Sequence, residues 1–183
     1  MNKVRNQAEI CARSIVLIGM MGAGKSSLGL RLAEALKLPF MDADAEIEKA
    51  AAMSIAEIFN QHGEATFRDG ERRVIKRLLD SEPMVLALGG GAFINDATRA
   101  LVQEKALSIW LDVPLDELVR RVKKKPDKRP LLKGQNVEAK LTELMQIRAP
   151  LYGQATLKVD VGAGTHEAAI ARLVSAIETH YAA

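Results

Sequence analysis

The sequence predicts an α/β fold: a three-layer α/β/α arrangement with a five-stranded parallel sheet. Short apolar segments alternate along the chain with longer segments whose apolar residues recur at helical spacing. This alternation is typical of parallel sheets that helices cover on both faces. A glycine-rich turn follows the first apolar segment and precedes the first helical one. The length of 183 residues suits one domain, so residues 1–183 are predicted to form a single unit.

Five apolar runs, each too short for a typical helix, predict the strands. They span residues 14–18, 38–42, 84–88, 107–112 and 156–161. The first run is rich in β-branched residues, as expected of a strand that is buried on both faces. Ligands of parallel α/β sheets collect at the carboxyl ends of the strands. The residues that directly follow each strand are therefore the first candidates for a functional site.

Eight helices are predicted from apolar residues at helical spacing and from signals at the helix starts. Ser54 and Glu57 match a capping box, and Pro114 suits a first helical position. Gly70 falls inside one of these helices, where glycine is unfavourable. The predicted helices span residues 25–36, 44–52, 55–62, 64–80, 96–104, 114–124, 137–149 and 165–181.

Residues 19–26 carry the most specific pattern in the chain. They read Gly-Met-Met-Gly-Ala-Gly-Lys-Ser and match G-x-x-x-x-G-K-[ST], the phosphate-binding P-loop. The glycines let backbone N–H groups approach phosphate oxygens, and the helix N-terminus adds positive dipole character. Lys25 can reach the β- and γ-phosphates, and the Ser26 hydroxyl can join a magnesium shell. The predicted nucleotide-binding residues are Gly22, Ala23, Gly24, Lys25, Ser26 and Ser27.

Three further strand ends carry notable residues. Asp42 and Asp44 follow the second strand; they are either helix caps or the carboxylates that a P-loop enzyme needs, and the second role is favoured. Residues 89–91 are three glycines, which lose much chain entropy unless something must approach the backbone closely. Asp112 follows the fourth strand and is predicted to cap the next helix.

Composition excludes several classes of protein. Cys11 is the only cysteine, so neither an internal disulfide nor a cysteine zinc cluster can form. Residues 1–13 lack the apolar region of a secretory signal, and no segment has the length and apolarity of a membrane span. We therefore expect a cytoplasmic protein without a membrane partner. The net charge of +3 by itself does not separate small anionic ligands from nucleic acid.

Five further motifs accompany the P-loop: Asp42-x-Asp44, Phe67-Arg68-x-x-Glu71, Gly89-Gly90-Gly91, Arg129-Pro130-Leu131-Leu132 and Arg148-Ala149-Pro150-Leu151-Tyr152. Each of these five is weak by itself. In this combination and order, over residues 14–161, the motifs resemble those of the shikimate kinases, a family of small P-loop kinases. The resemblance implies a P-loop NTPase fold and transfer of the γ-phosphoryl group of ATP to the 3-hydroxyl of shikimate, in aromatic amino-acid biosynthesis.

The resemblance also implies site residues and a cofactor. Lys25, Asp44 and Arg129 would be catalytic, with Arg129 in a mobile lid over residues 123–135 and in contact with the ATP phosphates. Mg²⁺ would be held by Ser26 and, through water, by Asp42. An Asp44 carboxylate near arginines and Mg²⁺ is expected to have a lowered pKa. ATP and shikimate would be the only partners of a monomer.

The acceptor would be held by a segment over residues 42–73 and by later residues. The family match assigns Asp44, Arg68, Arg148 and a backbone group at Gly90 to shikimate. Two guanidinium groups suit this role, because each can grip a carboxylate with paired hydrogen bonds. From the residues alone, Arg68 is equally well explained as a surface partner of Glu64 or Glu71. The loop over residues 162–164 offers no basic side chain where some relatives contact adenine, so Arg120 and Arg121 are the candidates for that contact.

Other functions remain open on the sequence alone. The basic segment of the lid also suits a solvated loop or a nucleic-acid patch, although no aromatic residues interleave with its lysines to stack bases. We therefore expect no nucleic-acid partner. A gluconate kinase or adenylate kinase is the first alternative, and the triple glycine argues against the second. A nucleotide-dependent switch and a nucleic-acid-dependent ATPase are the others.

Overall fold

The protein forms one parallel five-stranded sheet in a computed structural model that describes residues 12–124, 136–162 and 164–182. The strand order is β2-β3-β1-β4-β5, and every neighbouring pair is parallel. The strands are β1 (Ser14–Ile18), β2 (Phe40–Asp42), β3 (Val85–Ala87), β4 (Ala106–Asp112) and β5 (Leu157–Asp160). The predicted α/β fold with a five-stranded parallel sheet is confirmed.

Seven α-helices connect and flank the strands within the described ranges. They are α1 (Lys25–Leu36), α2 (Ala43–Ala51), α3 (Ile55–Leu79), α4 (Asp96–Lys105), α5 (Leu115–Lys123), α6 (Val137–Tyr152) and α7 (His166–Ala182). A short 3-10 helix spans Ala92–Ile94. No helix among the described residues is both long enough and apolar enough to span a bilayer.

The core lies on both faces of the sheet. Every residue of β1 and β3 is buried, and successive side chains of a strand point to opposite faces, so helices must cover both. Trp110 of β4 belongs to this core, as predicted. A smaller apolar cluster of Ile47, Ile58 and Phe67 joins α2 to α3. That second cluster holds the α2–α3 pair together beside the carboxyl end of β2.

The strand order places the P-loop at the centre of the sheet edge. β1 lies between β3 and β4, and the chain leaves β1 toward β2 on one side before it returns to β4 on the other. Such a reversal opens a crevice at the carboxyl ends of the strands. The register pairs Leu17 of β1 and Asp42 of β2 with Ala87 of β3, so these three strands end close together.

Two helices differ from their predicted limits by more than one residue at an end. The predicted helices over 55–62 and 64–80 are merged as α3, with a kink at Gly63 (φ 77°, ψ 173°) where the sequence placed the break. The helix predicted to end at residue 149 continues through Pro150 to Tyr152. Tyr152 is 1% exposed, so burial of its ring fixes a last turn that the proline alone would disfavour.

The start of α5 corrects the prediction for Asp112. The N-cap residue is Pro114, which makes no side-chain cap bond and lies one position before the first helical turn. Asp112 instead pairs with Lys158 of the neighbouring β5, with 3.0 Å between the carboxylate oxygen and the amine. Because the N-cap position is Pro114, Asp112 lies two residues too early to cap this helix. The capping box of Ser54 and Glu57, by contrast, is confirmed.

Replacement of Gly70 by alanine is expected to stabilise the protein. Gly70 lies within α3, and a Cβ atom there would meet nothing within 4 Å. Alanine is favoured over glycine inside a helix by about 1 kcal/mol. The new methyl group would meet no steric obstacle, so this gain in stability should be realised. The urea midpoint of unfolding should therefore rise, with an unchanged slope. An unchanged or lower midpoint would mean that the residue serves some purpose that the local packing does not reveal.

Candidate active site

The P-loop joins β1 to α1 and is shaped by glycines in the left-handed region. Gly22 and Gly24 have φ angles of 86° and 90°, and Gly24 is the N-cap residue of α1. The Lys25 amine donates hydrogen bonds to the carbonyl oxygens of Gly19 and Met20, at 2.9 and 3.0 Å. The lysine is thus folded back across its own loop, within reach of the backbone amides that would surround a phosphate.

Asp42 serves two elements at once. Its Oδ1 atom accepts from the backbone N–H groups of Asp44 (3.1 Å) and Ala45 (3.4 Å) and so caps α2. Its Oδ2 atom accepts from the Ser26 hydroxyl at 2.6 Å. The two interpretations of this aspartate, helix cap and site carboxylate, are therefore compatible. The cap fixes the orientation in which the second oxygen faces the P-loop.

The three glycines after β3 each lie against a different candidate side chain; we call residues 89–91 the glycine cradle. A Cβ atom at Gly89 would lie 2.5 Å from an Asp44 carboxylate oxygen. One at Gly90 would lie 3.2 Å from Nη1 of Arg148, and one at Gly91 would lie 2.5 Å from Nη2 of Arg68. A side chain at Gly89 or Gly91 would therefore collide with a polar group from another element, and one at Gly90 would crowd Arg148.

Arg68 is held by acidic neighbours on its own helix. Its Nη1 donates to Glu71 at 2.7 Å, and its Nε lies 3.5 Å from Glu64. The Glu71 carboxyl is buried, which raises its pKa, while the Arg68 guanidinium beside it acts in the opposite direction. Arg68 thus pairs with both glutamates and also reaches the glycine cradle at Gly91. Pairing of Arg68 with the two glutamates is therefore compatible with a place in the candidate site.

The pKa of Asp44 differs from the expected direction. Burial raises the pKa of its carboxyl, and the neighbouring negative charge of Asp42 raises it further. The cations Lys25 and Arg68 lower it but do not overcome these effects. The expectation of a lowered pKa is therefore wrong for the protein by itself, because desolvation outweighs the nearby positive charge.

Arg148 and Tyr152 occupy one face of α6, four residues apart. The Tyr152 hydroxyl donates to the Gly90 carbonyl oxygen at 2.5 Å, and the Gly19 carbonyl oxygen lies 3.3 Å away. The sequence analysis assigns no role to Tyr152, although it is part of the motif that contains Arg148. Its spacing of four residues from Arg148 is the feature of the sequence that indicates a shared helix face.

The two arginines proposed for adenine contacts are separated by the structure. Arg120 is exposed and pairs with Glu117 on its own helix. Arg121 lies between the P-loop and the loop after β5, with its Nη1 atom 3.4 Å from the Gly22 carbonyl oxygen and its Nη2 atom 3.1 Å from that of Gly162. Of the two arginines, Arg121 is therefore the one that lies against the P-loop. Arg129 and most of the predicted lid fall outside the described residues.

Comparison with known proteins gives a consistent result. The family model described as shikimate kinase matches residues 21–178. The shikimate kinase of Caulobacter vibrioides is 52% identical over 96% of this chain and 87% of its own length. That of Zymomonas mobilis is 53% identical over 90% of this chain and 93% of its own length.

Solved structures agree with the sequence comparison. Shikimate kinase from Acinetobacter baumannii in complex with shikimate superposes with a TM-score of 0.87 at 33% identity, over 96% of this chain and 98% of that one. A gluconokinase from Sinorhizobium meliloti gives a TM-score of 0.65 at 20% identity, over 94% of this chain and 95% of that one, a likeness of fold alone. With the P-loop, the glycine cradle and these matches in agreement, the chain belongs to the shikimate kinase family.

Proposed function

We propose that the protein transfers the γ-phosphoryl group of ATP to the 3-hydroxyl of shikimate, yielding shikimate 3-phosphate and ADP. The observation that carries the proposal is the glycine cradle, where one carboxylate and two guanidinium groups meet a bare backbone beside a P-loop. This donor and acceptor set suits a small ring that carries one carboxylate and several hydroxyls. We assign acceptor recognition to residues 42–73 together with Gly90 and Arg148.

At the nucleotide end, phosphate oxygens would replace the carbonyl partners of Lys25. Its amine now donates to two P-loop carbonyl oxygens, which are neutral acceptors. An anionic phosphate oxygen forms a stronger, charge-assisted hydrogen bond, so the exchange is favourable. The backbone N–H groups over Gly22 to Ser27 would bind the remaining phosphate oxygens at the start of α1. Arg129 would approach the same phosphates from the lid.

Ser26 and Asp42 would hold Mg²⁺. Their hydroxyl and carboxylate oxygens are 2.6 Å apart, and Mg²⁺ prefers oxygen ligands of this kind. Among the described residues no cluster of three or more histidine, cysteine or acidic side chains forms a protein-only metal cage. Mg²⁺ in kinase sites is usually held by one or two protein oxygens, and phosphates and water complete its shell. Bound there, Mg²⁺ would neutralise charge on the β- and γ-phosphates.

At the acceptor end, Arg68 and Arg148 would grip the shikimate carboxylate from two different helices. Asp44 would accept a hydrogen bond from the 3-hydroxyl and turn its oxygen toward the γ-phosphorus. Burial raises the pKa of Asp44 in the protein by itself, and Mg²⁺ held at Asp42 would act in the opposite direction. Phosphoryl transfer has a loose transition state, so the orientation of the hydroxyl contributes more than early proton removal.

The direct test is ADP release by the purified protein with Mg·ATP and a panel of acceptors. Shikimate should be phosphorylated, and gluconate and nucleoside monophosphates should leave the rate at the background of ATP hydrolysis. NMR of the product should place the phosphate on the 3-hydroxyl, and size exclusion should give the proposed monomer. Faster turnover with gluconate would favour the alternative that the fold also permits. No ADP release with any acceptor would refute a small-molecule kinase.

A further inference from the structure

Tyr152 is a buried polar group that the proposed reaction does not use. It ends α6, is 1% exposed and packs its ring against Trp110, with 6.0 Å between ring centroids. A buried tyrosine hydroxyl must find hydrogen-bonding partners. Its partners are unusual, because they belong to the two loops that line the candidate site.

The hydroxyl has one proton to donate and three polar neighbours. The Gly90 carbonyl oxygen lies 2.5 Å from the hydroxyl oxygen, much closer than the Gly19 carbonyl oxygen at 3.3 Å. The hydroxyl therefore donates its hydrogen bond to Gly90. The Arg148 guanidinium, one helical turn earlier on α6, is the charged neighbour of this hydroxyl. The hydroxyl therefore ties the last turn of α6, beside Arg148, to the Gly90 carbonyl.

The hydrogen bond from Tyr152 fixes the peptide group in the middle of the glycine cradle. Because a peptide unit is planar, a carbonyl held at Gly90 sets the orientation of the N–H group of Gly91. Arg148 lies against the same residue, since its Nη1 atom is 3.2 Å from where a Cβ atom of Gly90 would be. Burial raises the pKa of Tyr152, so the hydroxyl keeps its proton and remains a donor at neutral pH.

We propose that Tyr152 is a positioning residue: its hydroxyl orients groups that bind the acceptor. It acts through Arg148 and the Gly90 carbonyl and does not touch the substrate. This inference rests on the proposed function and adds a residue to its acceptor site. A tyrosine that merely fills the core would need only its ring, and phenylalanine would replace it without a selective effect on either substrate.

Tyr152→Phe separates these two roles, with Tyr181→Phe as the matched control. The chain has two tyrosines, and Tyr181 lies in α7, away from the glycine cradle. Loss of one hydrogen bond of this kind should raise the dissociation constant for shikimate about three- to tenfold. The dissociation constant for ATP should not change, and neither constant should change in the control. Titration calorimetry measures both, and thermal unfolding monitors the fold.

The pathway through Arg148 is tested by a double-mutant cycle with Arg148→Lys. If Tyr152 acts through the guanidinium fork, then Tyr152→Phe should cost much less in the lysine background than in the wild type. Unchanged shikimate affinity in Tyr152→Phe, equal losses for shikimate and ATP, or full additivity in the cycle would each overturn the proposal. Wild-type protein that fails to phosphorylate shikimate would instead refute the proposed function.

A spectroscopic measurement keeps the proposal testable if Tyr152→Phe does not fold. In Tyr181→Phe protein made with 3-fluorotyrosine, Tyr152 carries the single fluorine label. Shikimate should shift its ¹⁹F resonance, because the acceptor carboxylate draws on the same Arg148 guanidinium. A resonance that does not respond to saturating shikimate would overturn the proposal.

Discussion

Replacement of Asp44 by asparagine is expected to lower the turnover number about 10²- to 10³-fold while ATP binding survives. Asparagine has nearly the same shape, so it fits beside Gly89, where the carboxylate oxygen now lies. It replaces one acceptor oxygen with a donor and removes the negative charge that would orient the acceptor hydroxyl. Steady-state kinetics give the turnover number, and titration with a fluorescent ATP analogue gives nucleotide affinity.

The control for this variant is Asp69→Asn. Asp69 is an exposed carboxylate on α3 that pairs with Arg72 and Arg73, and its loss should leave turnover unchanged. Near-normal turnover of Asp44→Asn would remove Asp44 from the chemistry. A joint loss of turnover and ATP affinity would assign it to the nucleotide instead.

Gly91→Ala is expected to reduce kcat/KM for shikimate about 10²-fold, the effect of losing a charged hydrogen-bonding group at the acceptor. Gly91 has ordinary backbone angles (φ −103°, ψ −12°), so alanine adds no backbone strain. Its methyl group would instead overlap Nη2 of Arg68, at 2.5 Å, and must displace the guanidinium. The fold should survive, because the displaced atom is the tip of a flexible side chain.

Gly70→Ala is the matched control for that variant. It makes the same chemical change on the helix that carries Arg68, at a position where the methyl group meets nothing. Gly91→Ala should lose shikimate affinity and keep ATP affinity, whereas Gly70→Ala should lose neither. Unaltered shikimate kinetics in Gly91→Ala would show that Arg68 does not need its present position.

The sequence could predict the parts of the site that depend on neighbours along the chain. The P-loop is encoded in eight consecutive residues, and Asp42 and Asp44 follow directly from their position at a strand end. Burial explains why helix α6 does not end where the sequence predicts. Helix α6 continues past Pro150 because Tyr152 is anchored in the core, which a rule about proline and its nearest neighbours does not contain.

Contacts between distant segments lay beyond prediction. The sequence indicated that something approaches the triple glycine, but not that Asp44, Arg148 and Arg68 lie against Gly89, Gly90 and Gly91 in turn. The rise in the pKa of Asp44 likewise depends on how much protein surrounds it, which a list of neighbouring charges does not reveal. The contacts at the triple glycine and the pKa of Asp44 both depend on how the folded chain packs in space.

The bare backbone of residues 89–91 has a consequence for inhibitor design. A compound that hydrogen-bonds to this loop contacts peptide groups, which no amino-acid replacement removes short of proline. A resistant variant that added a side chain at Gly89 or Gly91 would collide with Asp44 or Arg68, the groups that we propose bind the acceptor. Escape by that route would therefore carry a direct loss of enzymatic fitness.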